Sequence, residues 1–171
     1  MDAEELEQRL DDIFDHALLF SGYLDHMRDY EVVVHRSASA LAGLPSDTLR
    51  YLFKFCVQAH VSSALPGEVW RRSLDERLVD LDGVGDAWDG SGYLWGVKWA
   101  CLYPGATVVQ DSPIADRWTD AVGIEFHEVR IETNVQNLSI VFSELEVSEV
   151  DAEYRPHGAG PAGSNPGTSE P

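Results

Sequence analysis

Basic residues are scarce in this chain. Only 12 lysines and arginines stand against 30 aspartates and glutamates, which gives a formal net charge of −18. A surface of this sign repels the phosphates of nucleic acids and the anionic leaflet of a membrane, so we expect neither as a partner. Two interpretations remain open: the acidity serves solubility alone, or it meets a basic protein partner.

Cysteine is nearly absent, and long apolar runs are missing altogether. Cys56 and Cys101 lie far apart in strand-like sequence, without C-x-x-C or zinc-type spacing, so we expect free thiols in a reducing compartment and no metal site. The first residues, MDAEELEQRLDD, are acidic where a secretion signal needs a basic start, and no apolar run has transmembrane length;. The sequence therefore predicts a cytoplasmic protein.

Recognisable catalytic motifs are also missing. The chain contains no G-x-S-x-G, P-loop, H-E-x-x-H or dinucleotide fingerprint;. Its serines and threonines stand in no setting that activates a nucleophile. We therefore expect no cofactor, no catalytic residue and a non-enzymatic function.

What the chain does contain is a succession of strand patterns with a few helices. In DAEELEQRLDDIF the apolar residues recur at helical spacing, whereas ALLFSGYL, YEVVVHRSA and ATVV are typical of strands;. These patterns predict an α+β fold: a mainly antiparallel β-sheet with two or three helices packed on it. Residues 1–151 would form a single domain, and the Gly/Pro/Ser-rich residues 152–171 a disordered tail;.

Two segments alternate strongly. LRYLFKFCVQAHVSSAL predicts one long strand, long enough to bend or carry a bulge, with a buried face. That face carries Leu49, Tyr51, Phe53, Phe55, Val57, Ala59 and Val61. YLWGVKWACLY predicts a central strand covered on both faces. One of its faces carries Tyr93, Trp95, Val97, Trp99, Cys101 and Tyr103.

Two further helices have clear sequence signals. PGEVWRRSLDERL begins with a proline suited to a first turn, and its inner stripe would be Trp70, Leu74 and Leu78;. DSPIADRWTDAVG can be capped by Ser112 and ended by Gly123;. The stripe expected to face the sheet in this second helix is Ile114, Trp118 and Val122.

The last strand pattern, GIEFHEVRIETNVQNLSIVFSELEVSEV, predicts a hairpin that turns at residues 134–137;. Leu138, Ile140 and Phe142 share a face, but Leu145 is out of phase with them. One extra residue near positions 143–144 would restore the phase, so we expect a β-bulge there.

The Gly/Asp-rich loop DLDGVGDAWDGSG is the first candidate site. Read as a calcium loop from Asp80, it has Val84 and Ser91 where oxygen ligands are needed, so we reject a metal site;. We expect instead a solvated acidic loop that binds a partner. Its partner-binding residues would be Asp80, Asp82, Asp86, Asp89 and Trp88.

Three His–acid doublets are the second candidate: Asp15-His16, Asp25-His26 and His127-Glu128. Adjacent residues on a strand point to opposite faces, so neither member of a strand doublet can help the other bind one ligand. We expect structural histidines. The alternative is a small-molecule-binding protein or an enzyme of unknown chemistry, with a pocket near Trp88, Tyr93 and His127.

The segments MRDYEVVV, LRYLFKFCVQAHVSSALPGEVWRRSLDERLVD, WGVKWACLYPGA and VGIEFHEVRIETN resemble the YxiG-like proteins of Gram-positive bacteria. The resemblance covers about residues 11–150 and brings no catalytic motif with it. Similar small proteins are associated with toxin–immunity gene neighbourhoods. The resemblance thus implies, by analogy, an immunity-type inhibitor of a basic toxin such as a nuclease. We expect a protein-binding module whose acidic loops steer and neutralise a cationic partner.

Overall fold

The computed structural model describes residues 3–24, 26–36, 47–72, 100–151 and 154–156. The helices described are α1 (Ala3–Asp11), α2 (Gly67–Arg72) and α3 (Pro113–Val122). The strands described are β1 (Ala17–Tyr23), β2 (Tyr30–Arg36), β3 (Asp47–Lys54), β4 (Gln58–Ser63), β5 (Ala100–Cys101), β6 (Gly105–Val108), β7 (His127–Glu132), β8 (Gln136–Phe142) and β9 (Glu144–Val150). The predicted α+β class, dominated by antiparallel sheet, is confirmed.

The strands form two antiparallel sheets. Sheet 1 has the order β5-β1-β2-β3-β9, and sheet 2 has the order β4-β8-β7-β6. Short bends carry the chain from one sheet to the other between β3 and β4, between β5 and β6, and between β8 and β9. Followed through these bends, the neighbouring strands form a closed circuit around one core.

The bend between β3 and β4 corrects the prediction of one long strand. Lys54 pairs with Glu144 in sheet 1, whereas Gln58 pairs with Val141 in sheet 2. At the bend, Phe55 adopts the left-handed conformation (φ 53°), which is uncommon for a bulky residue;. A buried carboxylate holds it there, because Asp29 Oδ1 accepts a hydrogen bond from the Phe55 backbone N–H at 3.0 Å.

The bend between β8 and β9 explains the change of phase predicted near position 143. Leu138, Ile140 and Phe142 are buried from sheet 2, and Leu145 is buried from sheet 1. Ser143 lies between the two sheets, and its backbone N–H donates to the Lys54 carbonyl at 3.1 Å. The extra residue is therefore real, but it marks a crossing between two sheets rather than a bulge inside one.

The core lies between the sheets, and helix α1 closes one side of it. Phe53 and Phe142, one from each sheet, are fully buried and pack edge to face with ring centroids 4.8 Å apart. Leu6 and Leu10 of α1 are buried in the same cluster, as their helical spacing predicted. The helix is therefore part of the core rather than a surface appendage.

Helix α3 has the predicted caps. The Ser112 hydroxyl oxygen accepts a hydrogen bond from the Ala115 N–H, and Gly123 ends the helix with φ 82°;. The predicted stripe is wrong at one position, because Val122 is 51% exposed. The helix instead turns Ala115 towards the sheet, where it packs with Phe126 and Val141.

Helix α2 also departs from its predicted stripe. Trp70 is 41% exposed, and its indole N–H donates to the Ser63 hydroxyl at 2.7 Å. A polar partner at the surface therefore positions this ring. Leu74 and Leu78 lie outside the described residues.

Residues 100–103 of the predicted central strand YLWGVKWACLY are described. Of these, Ala100–Cys101 form strand β5. Residues 93–99 lie outside the described ranges. The following Tyr103 was expected to be covered, but it is 62% exposed and its ring centroid lies 5.9 Å from that of Phe14. Its exposure follows from the bend, which takes the chain out of sheet 1 directly after Cys101.

The predicted tail is described only at residues 154–156. The Tyr154 hydroxyl donates to Glu31 Oε2 at 2.8 Å, and the Arg50 guanidinium, which also binds Glu31, lies over the Tyr154 ring. The folded part of the chain thus includes Tyr154. None of the helices in the described ranges is long and apolar enough to cross a bilayer.

Candidate functional site

A cleft of about 190 Å³ lies beside the N-terminus of helix α3. Its walls come from the start of α1, the end of β6, the first turn of α3 and the start of β7. The ionisable groups among its described lining residues are Asp111, Asp116, Glu125, His127 and Glu128. No lysine or arginine is among them, so the cleft is acidic.

Local structure explains why these side chains meet. The Val109 N–H donates to the Glu128 carbonyl at 2.9 Å, which extends the β6–β7 pairing to the mouth of the cleft. Asp111 then takes a left-handed conformation (φ 52°) that turns the chain into α3. On the far side of the helix, the Phe126 N–H donates to the Thr119 hydroxyl at 2.9 Å and returns the chain to the sheet.

Glu128 is the buried carboxylate of the cleft, with an exposed fraction of 7%. The Ser112 hydroxyl donates to Glu128 Oε2, and the Ser139 hydroxyl donates to Oε1 at 2.8 Å. The positive end of the α3 dipole faces the same carboxylate. Glu128 therefore joins helix α3 to strands β7 and β8.

The Ser112 hydroxyl is not available as a nucleophile. Its side chain is buried, its hydroxyl proton goes to Glu128, and its oxygen accepts from the Ala115 N–H. A nucleophilic serine needs an exposed oxygen beside a base that can take its proton. The geometry is that of a helix cap.

His127 packs on the other side of strand β7. It pairs with Phe142 in the β7–β8 register, and the two rings lie 6.1 Å apart. Its side chain is 9% exposed, and its Nε2 atom, 3.9 Å from Glu125 Oε2, has no hydrogen-bond partner. Burial lowers the pKa of His127, and the nearby Glu125 carboxylate only partly offsets this, so the ring is neutral at pH 7.

The His127-Glu128 doublet thus behaves as two separate residues. Both contribute to the cleft wall, but Glu128 makes its contacts with α3 and β8 hydroxyls, whereas His127 packs against an aromatic residue of the core. This agrees with the opposite directions expected of neighbours on a strand.

The other doublets have structural environments. His26 Nε2 lies 3.2 Å from Asp29 Oδ2, and Asp25 is outside the described residues. Burial lowers the pKa of the His16 imidazole, whose Nδ1 has no hydrogen-bond partner. Within the described ranges, no three His, Cys, Asp or Glu side chains are arranged to hold a metal ion.

Asp29 is the most strongly bound carboxylate of this set. Burial acts to raise its pKa, but hydrogen bonds from Arg28, the Phe55 N–H and His26 outweigh it and lower the pKa to about 2. It therefore stays ionised under almost all conditions. Its role is to hold the β3–β4 bend.

Both cysteines are free thiols, as expected. Burial raises the pKa of Cys56 to about 11, and burial also raises the pKa of Cys101. A thiol must ionise to act as a nucleophile. Both thiols therefore remain protonated at neutral pH and are poor nucleophiles.

The sequence-predicted partner-binding residues are not described. Asp80, Asp82, Asp86, Trp88 and Asp89, and the alternative pocket residue Tyr93, lie between residues 72 and 100, outside the described ranges. Their role stays a prediction. The described structure brings together a different set of acids.

These acids continue from the cleft on to helix α1. Ala3 lines the cleft, and the Gln110 amide donates to Glu7 Oε1 at 3.3 Å, which joins the helix to the rim. We call the combined patch the acidic surface. It comprises Glu4, Glu7, Asp111, Asp116 and Glu125, all of them exposed.

The lysines and arginines that form ion pairs in the described ranges bind acids outside the acidic surface. These ion pairs join Arg9 with Glu5, Arg28 with Asp29, Arg36 with Asp47, Arg50 with Glu31, and Lys54 with Glu144 and Glu146. The sequence did carry a signal for the cleft. Asp111 immediately precedes a Ser-Pro helix start, and Glu125 lies just before the strand that follows the same helix.

Comparison with known proteins gives one match. The family model described as YxiG-like protein matches residues 2–160 of the chain. No curated protein matches, and no solved structure matches.

Proposed function

The chain belongs to the YxiG-like protein family, and we propose that it is a non-enzymatic protein-binding module whose partner is a basic protein. The observation that carries the proposal is the acidic surface. Three of its five exposed carboxylates, those of Asp111, Asp116 and Glu125, line a cleft whose described lining has no lysine or arginine. Positive charge supplied by a partner would complete it.

Like charges placed close together cost free energy unless counter-charges relieve them. In the folded chain the acids of sheet 1 receive such relief from Arg36, Arg50 and Lys54. The contacts described for the acids of the acidic surface are neutral ones: the Gln110 amide donates to Glu7, and the His127 ring lies 3.9 Å from Glu125. A lysine or arginine side chain of a partner would enter an environment already arranged for it.

The environments of the serine, histidine and buried glutamate of the cleft also support binding rather than catalysis. Ser112 and Glu128 are occupied in holding helix α3, and the His127 ring is buried against Phe142. A general acid or base must reach the proton it transfers. The accessible groups are the exposed carboxylates of Asp111, Asp116 and Glu125, which can attract a cationic partner;.

We propose further that the partner is a basic toxin and that the protein acts as an immunity-type inhibitor in the bacterial cytoplasm. A nuclease presents a cationic cleft to bind phosphates, and an acidic protein surface is a direct competitor for it. Long-range attraction would also speed the encounter. The acidic loop at residues 80–89 would add to the same field.

The test is affinity capture from the native host with two matched variants. Asp116→Asn with Glu125→Gln removes two charges from the acidic surface, and Asp120→Asn with Glu149→Gln removes two exposed charges elsewhere. We expect wild type and control to retain one basic protein that the cleft variant loses. Equal capture by both variants, or a partner with an acidic surface, would contradict the proposal.

Once the partner is identified, stopped-flow association gives a sharper measurement. The association rate of wild type should fall as salt is raised, because mobile ions screen the attraction. The cleft variant should associate more slowly and depend less on salt than the control. An association rate that changes neither with salt nor in the cleft variant would place the binding surface elsewhere.

A further inference from the structure

A second cavity lies on the outer face of sheet 2, beyond the end that helix α3 covers. It has a volume of about 290 Å³. Its lining residues come from three neighbouring strands and, apart from Leu138, are polar or charged. We call it the polar groove: His60, Ser62, Arg130, Glu132, Asn137 and Ser139.

Strand register arranges these side chains in two rows. His60, Ser139 and Arg130 are cross-strand neighbours in the first row. In the second row the neighbours are Ser62, Asn137 and Glu132. Paired residues in an antiparallel sheet share a face, and rows two residues apart are separated by about 7 Å.

The two rows carry opposite charges that do not neutralise each other. Arg130 and Glu132 make no ion pair with each other or with any other residue in the described ranges. Arg130 is exposed, and Glu132 is half-buried. This separation leaves both charged groups of the groove available to a ligand.

Hydroxyl and amide side chains lie beside each of the two charged residues of the groove. The Ser139 hydroxyl donates a hydrogen bond to Glu128, so its oxygen can accept a hydrogen bond from a bound group;. Asn137 offers a carbonyl and an amide beside Glu132, and the His60 ring stands across the first row from Arg130. The groove therefore presents donors and acceptors together.

We propose that the polar groove binds a small zwitterion of the α-amino acid class, with its carboxylate on Arg130 and its ammonium group on Glu132 and Asn137. Arginine matches a carboxylate with two parallel hydrogen bonds. A simple anion would be repelled by Glu132 and by the net charge of −18;, and a simple cation would be repelled by Arg130. The hydroxyls in the groove favour a polar side chain such as that of serine or glutamine.

The experiment is a chemical-shift titration of the ¹⁵N-labelled protein with serine and glutamine at millimolar concentrations. We expect saturable shifts centred on residues of the polar groove, with none at Asp111, Asp116 or Glu125 of the acidic surface. N-acetylserine lacks the ammonium group, and serinamide lacks the carboxylate, so each should bind at least about tenfold more weakly, as loss of one charge-assisted hydrogen bond implies.

Matched variants assign the two ends of the ligand. Arg130→Gln and Glu132→Gln should each weaken serine binding about tenfold or more. Arg117→Gln and Glu149→Gln, which change the same charges at exposed positions outside the groove, should leave it unchanged. Undisturbed spectra away from the groove show that each variant is folded.

Two results would overturn the proposal. The first is an absence of saturable shifts with serine and glutamine. The second is N-acetylserine binding as well as serine with no effect of Glu132→Gln, because the site would then recognise carboxylates alone. The partner-binding proposal is independent of either outcome, since Asp116→Asn with Glu125→Gln should leave serine binding intact.

Discussion

At the end of sheet 2 that helix α3 covers, strands β8 and β7 present Val141 and Glu128 outward; two residues further along, the same strands present Ser139 and Arg130. Val141 is fully buried under α3, with Ala115 and Phe126. Arg130 is exposed at the floor of the polar groove. The inner faces of both ends are alike, with Ile140 and Leu138 in one core.

This contrast shows what determines where a helix packs. The inward residues of β7 and β8 are apolar at both ends of the sheet, with Val129 and Ile140 at one end and Ile131 and Leu138 at the other, so they define the sheet but not the position of α3. The outward residues change from apolar to polar after one row, and the helix covers only the apolar row. Glu128 is the exception, and the cap of α3 supplies its hydrogen bond from Ser112.

The largest effect should come from placing a charge at the covered end. Val141→Asp would bury a carboxylate between Ala115 and Phe126 and should cost roughly 3–5 kcal/mol of unfolding free energy. Thr107→Asp puts the same group on an exposed edge strand beside Arg130 and should change stability by less than about 0.5 kcal/mol. Urea denaturation of both variants measures the difference; equal losses would erase the contrast between the two ends.

The next effect tests the helix itself. Trp118 is half-buried with its ring centroid 6.3 Å from that of Phe126, so Trp118→Ala should cost roughly 3 kcal/mol, the lower end for a large aromatic residue. Val122→Ala, on the exposed side of the same helix, should be nearly neutral. A loss below about 1 kcal/mol for Trp118→Ala would make this tryptophan a surface residue and a candidate contact for a partner.

A smaller effect is expected at the bend between β3 and β4, after which β4 runs along the end of sheet 2 that forms the polar groove. The pKa of Asp29 is lowered from 3.8 to about 2 in the folded chain, so its contribution is present above pH 3.8 and is lost as the pH falls towards 2. That contribution is at most about 2 kcal/mol. Asp29→Asn should destabilise the protein at pH 7 and flatten this acid dependence, measured by denaturation between pH 2 and 7. Unchanged acid dependence would remove Asp29 from the bend.

The smallest effect compares two histidines. Burial lowers the pKa of His127, so the unfolded chain binds more protons than the folded chain as pH falls below 6.5, and stability declines there;. His127→Ala should cost about 1 kcal/mol at pH 7, leave the fold intact and weaken that decline. His60→Ala, in the open groove, should also leave the fold intact and should change stability by less than about 0.5 kcal/mol. Thermal melts from pH 5 to 8 distinguish them, and a decline that persists in His127→Ala would assign it to another group.

Sequence patterns were most informative where the cause of structure is local. The caps of α3 at Ser112 and Gly123, and the β7–β8 hairpin, follow from neighbouring residues and were predicted correctly. The predicted strand was long enough to bend, but the position of the bend at Phe55 was not predicted, because no glycine or asparagine marks it. Its left-handed conformation depends on Asp29, which is 26 positions earlier in the chain.

The candidate site was predictable only in part. Its acidity follows from composition, and the separate roles of His127 and Glu128 follow from strand geometry. The grouping of Asp111, Asp116 and Glu125 depends on how α3 sits on sheet 2, and Val122 shows that its rotation was not fixed by the apolar stripe alone. Long-range packing decides such details.

The closed circuit of strands also has a consequence for synthesis of the chain. Strand β3 pairs with β9, so Thr48 meets Val150 about a hundred residues later. Until β9 leaves the ribosome, β3 keeps one edge unpaired, and exposed edges attract other chains. Pairings this distant in sequence also form slowly. Production of the protein should therefore depend on chaperone supply more than its modest size suggests, and most of all when translation stalls before residue 144.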